Sequence, residues 1–124
     1  MTARAAFVAI VDDDESVRES LPDLLHELGF TVETFASAEA FLGSDSIART
    51  ECLVLDIALP GMSGPELQRE LIRRRRVVPI VYITAQGDDT LRPRLLAQGA
   101  VECLLKPFSE GDLLAALNTA LKVA

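Results

Sequence analysis

Cysteine is too scarce in this chain to staple or metal-clip a fold. There are two, Cys52 and Cys103, with no C-x-x-C pair and no cysteine–histidine cluster. That excludes a disulfide framework and a zinc site. Histidine is scarcer still. The single one, His26, lies nine residues after Val17 on a predicted helix, which turns it away from the apolar face. It reads as a solvated residue, not a phosphate carrier or ligand. Excess positive charge is also missing. The net charge is −7, which argues against direct nucleic-acid binding, since that needs a basic patch. No apolar run approaches the length of a membrane span. The amino terminus leads straight into a strand-like segment with no secretion-signal pattern. A cytoplasmic protein with no membrane partner is the expectation. No repeat, low-complexity tract or linker interrupts the 124 residues, enough for one domain with a real core and too few for two.

What is present is a regular alternation of strand and helix. The stretch Cys52-Leu-Val-Leu-Asp-Ile-Ala-Leu-Pro-Gly-Met-Ser-Gly64 organises it. A short apolar run, Leu53-Val54-Leu55, delivers Asp56 at its end. Runs this short between turn residues read as strands buried on both faces. After the turn at Pro60-Gly61, Ser63 and Glu66 form a capping-box pattern with Pro65 in the first turn. An Asp at a strand end is most often a cap or turn former. Here Ser63 fills that role, which frees Asp56 for chemistry.

Elsewhere the same unit repeats. Phe7 to Val11 is a strand that ends in Asp12-Asp13-Asp14-Glu15. Consecutive acids repel one another unless a cation sits among them. Asp14 and Glu15 suit the start of the next helix, where negative charge is favoured; Asp12 and Asp13 are left over. That helix runs to about Leu28 with Val17, Leu21, Leu24 and Leu28 on one face, a bend expected at Pro22 and a stop at Gly29. Thr31 to Phe35 alternates like an edge strand, Ser37 caps a short helix from Ala38 to Leu42, and Gly43 to Glu51 reads as a polar connection. The helix from Pro65 to about Arg75 ends in Arg73-Arg-Arg-Arg76, a run that suits the negative end of a helix dipole better than a docking patch. Pro79 to Thr84 is a strand followed by a Gly87-Asp88-Asp89 loop. The helix bearing Leu91, Leu95 and Leu96 must start irregularly because of Pro93. Val101 to Leu105 is the last strand, ending in Lys106-Pro107-Phe108, with Lys106-Pro107 a candidate cis peptide. Ser109 and Asp112 start a final helix burying Leu113, Leu114, Leu117 and Leu121.

Five strand–helix units in alternation predict an α/β fold: a doubly wound, five-stranded parallel sheet with helices on both faces. The flavodoxin-like order 2-1-3-4-5 is the common one. It sets four strand ends side by side, bringing together Asp12 and Asp13, Asp56, Thr84 and Lys106. It also separates Cys52 from Cys103 by an intervening strand, too far for a disulfide.

These residues carry a resemblance over the whole chain. Ile10-Val-Asp-Asp-Asp14, Leu55-Asp-Ile-Ala-Leu-Pro-Gly-Met-Ser-Gly64, Ile83-Thr84-Ala85, Gly99-Ala-Val-Glu-Cys103 and Lys106-Pro107-Phe108 resemble a response-regulator receiver domain, and within that family the FixJ-like branch. The resemblance implies a receiver spanning 1–124 that takes a phosphoryl group on Asp56 from a sensor histidine kinase or phosphotransfer protein. It implies a Mg²⁺ cofactor held by Asp12, Asp13, Asp56 and the backbone carbonyl of Ala58, and phosphoryl contacts from Thr84 and Lys106. Strand geometry alone would equally allow Asp13 and Asp14 as the acidic pair. The implied partners beyond the kinase are a downstream protein or an output domain not seen in these residues, and a weak homodimer on phosphorylation. Such a domain catalyses its own uptake and slow loss of phosphate without being a turnover enzyme. One position departs from the family: Cys103 stands three residues before Lys106, where receivers carry the aromatic switch residue that partners Thr84.

Rival readings fail on residues. A dinucleotide site needs G-x-G-x-x-G after the first strand, where this chain has four acids. A dehalogenase-type phosphatase needs an acid two residues after its nucleophile; here that residue is Ala58. A degenerate receiver would have lost acceptor-site residues, and every one is present.

Overall fold

The structure, a computed structural model, describes residues 5–85, 87 and 89–123, with side chains for all of these but the last. Met1 to Arg4, Gln86, Asp88 and Ala124 lie outside the described residues. The amino terminus and the expected Gly87-Asp88-Asp89 loop fall partly there.

Five strands alternate with helices along the chain: β1 Phe7–Val11, α1 Glu15–Glu27, β2 Thr31–Phe35, α2 Ala38–Leu42, β3 Cys52–Asp56, α3 Gly64–Arg73, β4 Ile80–Thr84, α4 Leu91–Ala97, β5 Glu102–Leu105 and α5 Glu110–Val123. All pairings are parallel and the sheet order is β2-β1-β3-β4-β5. This is the predicted flavodoxin-like sheet. Every residue of β1, β3 and β4 is buried, as expected for strands covered on both faces.

The period of two along each strand divides the core in two. Phe7, Ala9, Val11, Leu53, Leu55 and Tyr82 face one way and pack with Phe41, Leu67, Leu71 and Leu95 from α2, α3 and α4. Val8, Ile10, Val54, Val81 and Ile83 face the other way, toward Leu21, Leu25, Leu113 and Leu117 of α1 and α5. Each buried Val, Leu, Ile or Phe among them contributes about 1.5–3 kcal/mol. Cys52 and Cys103 belong to opposite cores and both are free thiols. Burial pushes the Cys52 thiol up to about 12.

Several local expectations need correcting. The connection between α2 and β3 is a 3₁₀ helix, Asp45–Arg49, capped by Ser44. It is docked onto the edge strand by buried Ser46, whose hydroxyl bonds Glu33 and accepts from Arg49 Nη2 at 3.1 Å. In α1, Leu21 and the half-buried Val17, Leu24 and Leu28 pack against one core as expected, but the most deeply buried residue is Leu25, which the expected face did not include. The helix continues through Pro22 to Glu27, and His26 is exposed as expected. In α5, Ala116 and Ala120 join Leu113 and Leu117 in the core, and Leu114 and Leu121 are half-buried. Small alanines face the sheet there, so the helix packs on a row different from the all-leucine one.

The arginine run is split by the end of α3. Arg73 and Arg74 both bond to Glu70. Arg75 then adopts φ 60°. The N–H of Arg76 reaches Leu71 O and that of Arg75 reaches Ile72 O, both at 2.9 Å, the paired bonds of a Schellman stop.

Candidate functional site

The site lies along the carboxyl ends of β1, β3, β4 and β5. β1 delivers Asp12, whose side chain is fully buried. A buried carboxylate must be partnered, and this one is. Its Oδ1 accepts the Asp14 N–H at 2.9 Å and its Oδ2 accepts Lys106 Nζ at 2.8 Å. Arg18 Nη1 donates to the Asp12 carbonyl at 2.9 Å, tying α1 to the strand end. Asp13 is exposed, and its carboxylate has no protein partner among the described residues. Asp14 is the cap of α1: its Oδ1 accepts from Ser16 N–H at 2.9 Å and Ser16 Oγ at 2.7 Å. Those bonds hold its carboxyl below the usual range, helped by the charge of Lys106. With Asp14 spent on the cap, the available acidic pair is Asp12 and Asp13.

β3 delivers Asp56, 7% exposed. Its Oδ1 accepts the Ala58 N–H at 3.2 Å, and its Oδ2 lies 4.0 Å from Lys106 Nζ. Burial, then the neighbouring Asp12 charge, push its pKa up to about 6, against the opposing pull of Lys106 and the Ala58 N–H. The Asp56 carboxylate is therefore short of positive charge. The loop beyond it is held by the capping box of Ser63 and Glu66 and by Gly64, whose N–H donates to Ile57 O at 3.1 Å. A Cβ on Gly64 would stand 2.7 Å from the Asp56 carbonyl oxygen and 3.0 Å from the Tyr82 ring.

β5 leads to Lys106, which precedes a cis bond to Pro107. Its N–H donates to Thr84 O at 2.7 Å. Burial disfavours its charge, but the Asp12 hydrogen bond and the charges of Asp12 and Asp56 outweigh that and raise its pKa. Thr84 ends β4 and is 6% exposed; it pairs with Leu105, one strand over from Asp56.

Asp12, Asp13 and Asp56 each offer an oxygen to one point, with the three oxygens within 4.8 Å of one another. Hard oxygen donors, two of them buried, fit a divalent cation of the magnesium type. The raised pKa of Asp56 has the same cause that such an ion would relieve.

Sequence reasoning placed these strand ends side by side, as the structure does, but missed their supports. Arg18 and Gly64 carry no motif of their own. Nor does the buried network behind the site, in which Tyr82 Oη donates to Gln68 Oε1 at 2.6 Å and Gln68 Nε2 donates to Gln98 O at 3.2 Å. Cys103 is half-buried in β5 and pairs in register with Tyr82.

Comparison with known proteins agrees with this geometry. The profile of the response regulator receiver domain matches residues 8–118. The response regulator protein TodT of Pseudomonas putida is 40% identical over 124 residues, covering 100% of this chain and 55% of its own. The solved structure of the response regulator StyR superposes with a TM-score of 0.87 at 47% identity, over 97% of this chain and 61% of that one. FixJ-N superposes with a TM-score of 0.86 at 35% identity, over 98% of both chains. The chain thus spans about half the length of TodT. No helix among the described residues is long and apolar enough to cross a membrane. A family profile matched over most of the chain, on a fold and strand-end site of the expected form, places it in the response-regulator receiver domain family of two-component signalling, with FixJ among its relatives.

Proposed function

We propose that Asp56 is the phosphoacceptor of this receiver, charged by the phosphohistidine of a sensor kinase or phosphotransfer protein in a Mg²⁺-dependent reaction. The observation that carries the reading is the arrangement of Asp12, Asp13 and Asp56 around one point with Lys106 beside them. Asp13, Asp56 and the Ala58 carbonyl would hold the ion directly. Asp12, with both oxygens already bonded inside the protein, would act through water. A divalent cation there supplies the charge that lets a carboxylate meet a phosphoryl group.

The chain's own residues do the rest. An Asp56 carboxylate oxygen forms the new O–P bond while the N–P bond of the donor breaks, its electron pair staying with the imidazole. Lys106 supplies fixed positive charge for the phosphoryl oxygens, and its bond to Asp12 sets its direction. The Thr84 hydroxyl donates to the bound phosphoryl group. Ala58, two residues past the nucleophile, cannot act as a general acid/base, which supports a phosphoryl group that is held and lost slowly. The phosphorylated domain then acts on an output domain or a separate protein.

Acetyl phosphate with Mg²⁺ tests this. A stoichiometric, long-lived adduct is expected. Repeated rapid turnover would make the protein a phosphatase instead.

A further inference from the structure

Exposed aliphatic surface is concentrated away from the phosphoacceptor rim. Three large hydrophobic side chains stand exposed among the described residues: Ile72 at 62%, Val77 at 96% and Leu105 at 55%. Two of the three flank the turn that ends α3, and the same turn carries Arg75 and Arg76. The helix-dipole explanation covers only part of the arginine run. Arg73 and Arg74 are bonded to Glu70. Arg75 and Arg76 lie beyond the helix end, and their side chains have no hydrogen-bond or ion-pair partner among the described residues. Arg75 also occupies the left-handed region at φ 60°, where Gly or Asn is usual and another residue costs about 1–2 kcal/mol. The Schellman bonds need that backbone conformation, but no side-chain hydrogen bond or ion pair among the described residues calls for an arginine there.

Beside the turn is a groove of about 200 Å³ between the last turn of α3 and the Gln98-Gly99 end of α4, floored by Gln68, Leu71 and Ile80. That is below the roughly 300–1,000 Å³ of a small-molecule site and suits a single inserted side chain. It opens at the amino end of β4, whereas Asp56 and Thr84 sit at the carboxyl ends of their strands. The patch is positive on a body of net charge −7. A body so charged repels the continuous phosphates of nucleic acid, while a short acidic segment meets mainly the local arginines.

We propose that the turn between α3 and β4 is a docking site for an acidic protein segment carrying one aliphatic or aromatic anchor. The anchor enters the groove beside Ile72 and Val77, and the flanking carboxylates pair with Arg75 and Arg76. This does not depend on Asp56 being the phosphoacceptor.

A random twelve-residue peptide display library, selected on the immobilised 124-residue chain, tests it. The enriched peptides should place two or more Asp or Glu around one apolar residue. Their affinity, read by fluorescence anisotropy, should fall about fivefold or more with Arg75→Gly, Arg76→Gln or Val77→Ser, and should weaken as salt rises. Glycine adopts the left-handed conformation freely, so Arg75→Gly keeps the turn. Labelling by acetyl phosphate should be unchanged in all three variants. Failure to enrich any peptide, enriched peptides without acids, affinities indifferent to the variants, or tighter binding of a DNA duplex would each overturn the proposal.

Discussion

The two halves of the sheet are built to different standards. On one side β1 and β3 are buried at every position, and their carboxyl ends carry the acids. Asp12 has both oxygens bonded, Arg18 ties α1 to it, and α3 starts with a complete capping box and Gly64 pressed against the Asp56 carbonyl. On the other side, α4 has seven residues, Pro93 in its first turn, no side-chain cap bond from Thr90 and only Leu95 fully buried. β5 is short, half-buried and ends in exposed Leu105. The lesson is a division of labour. The acid half holds geometry, because misplaced buried carboxylates are costly. β4, which bears Thr84, is as fully buried as β1 and β3; it is α4 beyond it that has few buried side chains to lose, so α4 is the element that can move when charge is added at Asp56.

Lys106 joins the halves, and its removal should do the most damage. Lys106→Ala leaves Asp12 buried beside Asp56 without its cation. Labelling by acetyl phosphate should slow by about 10²-fold, and a denaturant melt should show a loss of about 3 kcal/mol, the low end for breaking a buried pair. A variant as stable as the parent would mean the halves are not coupled through this residue.

Charge at Asp56 gives the next largest effect. Its folded pKa, about 6, is raised above the unfolded value near 3.9. A raised carboxylate pKa contributes stability that is complete below the unfolded value and is lost as pH rises through the folded one. In EDTA the domain should therefore lose up to about 3 kcal/mol from this group between about pH 4 and pH 7. Asp56→Asn should remove that dependence and melt higher than the parent at pH 7. Millimolar Mg²⁺ should raise the melting temperature of the parent. A parent whose melting is indifferent to the ion would count against the acidic half as a metal site.

Two glycines compare the halves by a single methyl. Gly64→Ala places Cβ 2.7 Å from a backbone oxygen, which cannot step aside, and should cost about 2 kcal/mol. Gly87→Ala, in the loop after Thr84, meets only side-chain atoms at 3.5 Å or more and should change stability by no more than about 0.5 kcal/mol. Equal losses would erase the contrast.

The smallest effect is the one that locates the switch. Cysteine at position 103 has no ring to swing. Beryllofluoride should therefore change amide exchange from residue 86 through Leu96, leaving β5 and α5 nearly still. Changes as large around Cys103 and α5 would show that the softer half moves as a whole without an aromatic.

The acid half was the more legible from sequence, for a physical reason. Its signals are local: an apolar run ending in Asp56, a serine with a glutamate three residues on, acids where a strand stops. Asp14 illustrates the limit, since only its bonds to Ser16 separate the cap from the neighbouring acidic pair. What stayed hidden depends on partners distant in the chain. Ser46 gains its role from Glu33 on another element, and Gln68 from Tyr82 and Gln98. Gly64 matters because Tyr82 passes beneath it. Arg75 looked like one more helix-end cation until the Schellman bonds put it outside the helix.

The central claim is that the acid half presents Asp56, and no other carboxylate, to a phosphoryl donor. Peptide mapping by mass spectrometry after acetyl phosphate and Mg²⁺ treatment tests it most directly. One phosphate, labile to alkali and to hydroxylamine as an acyl phosphate must be, on the peptide containing Asp56 and absent from Asp56→Asn, is the predicted result. Stoichiometric phosphate in Asp56→Asn, or on a peptide bearing Asp12 or Asp13, would contradict it.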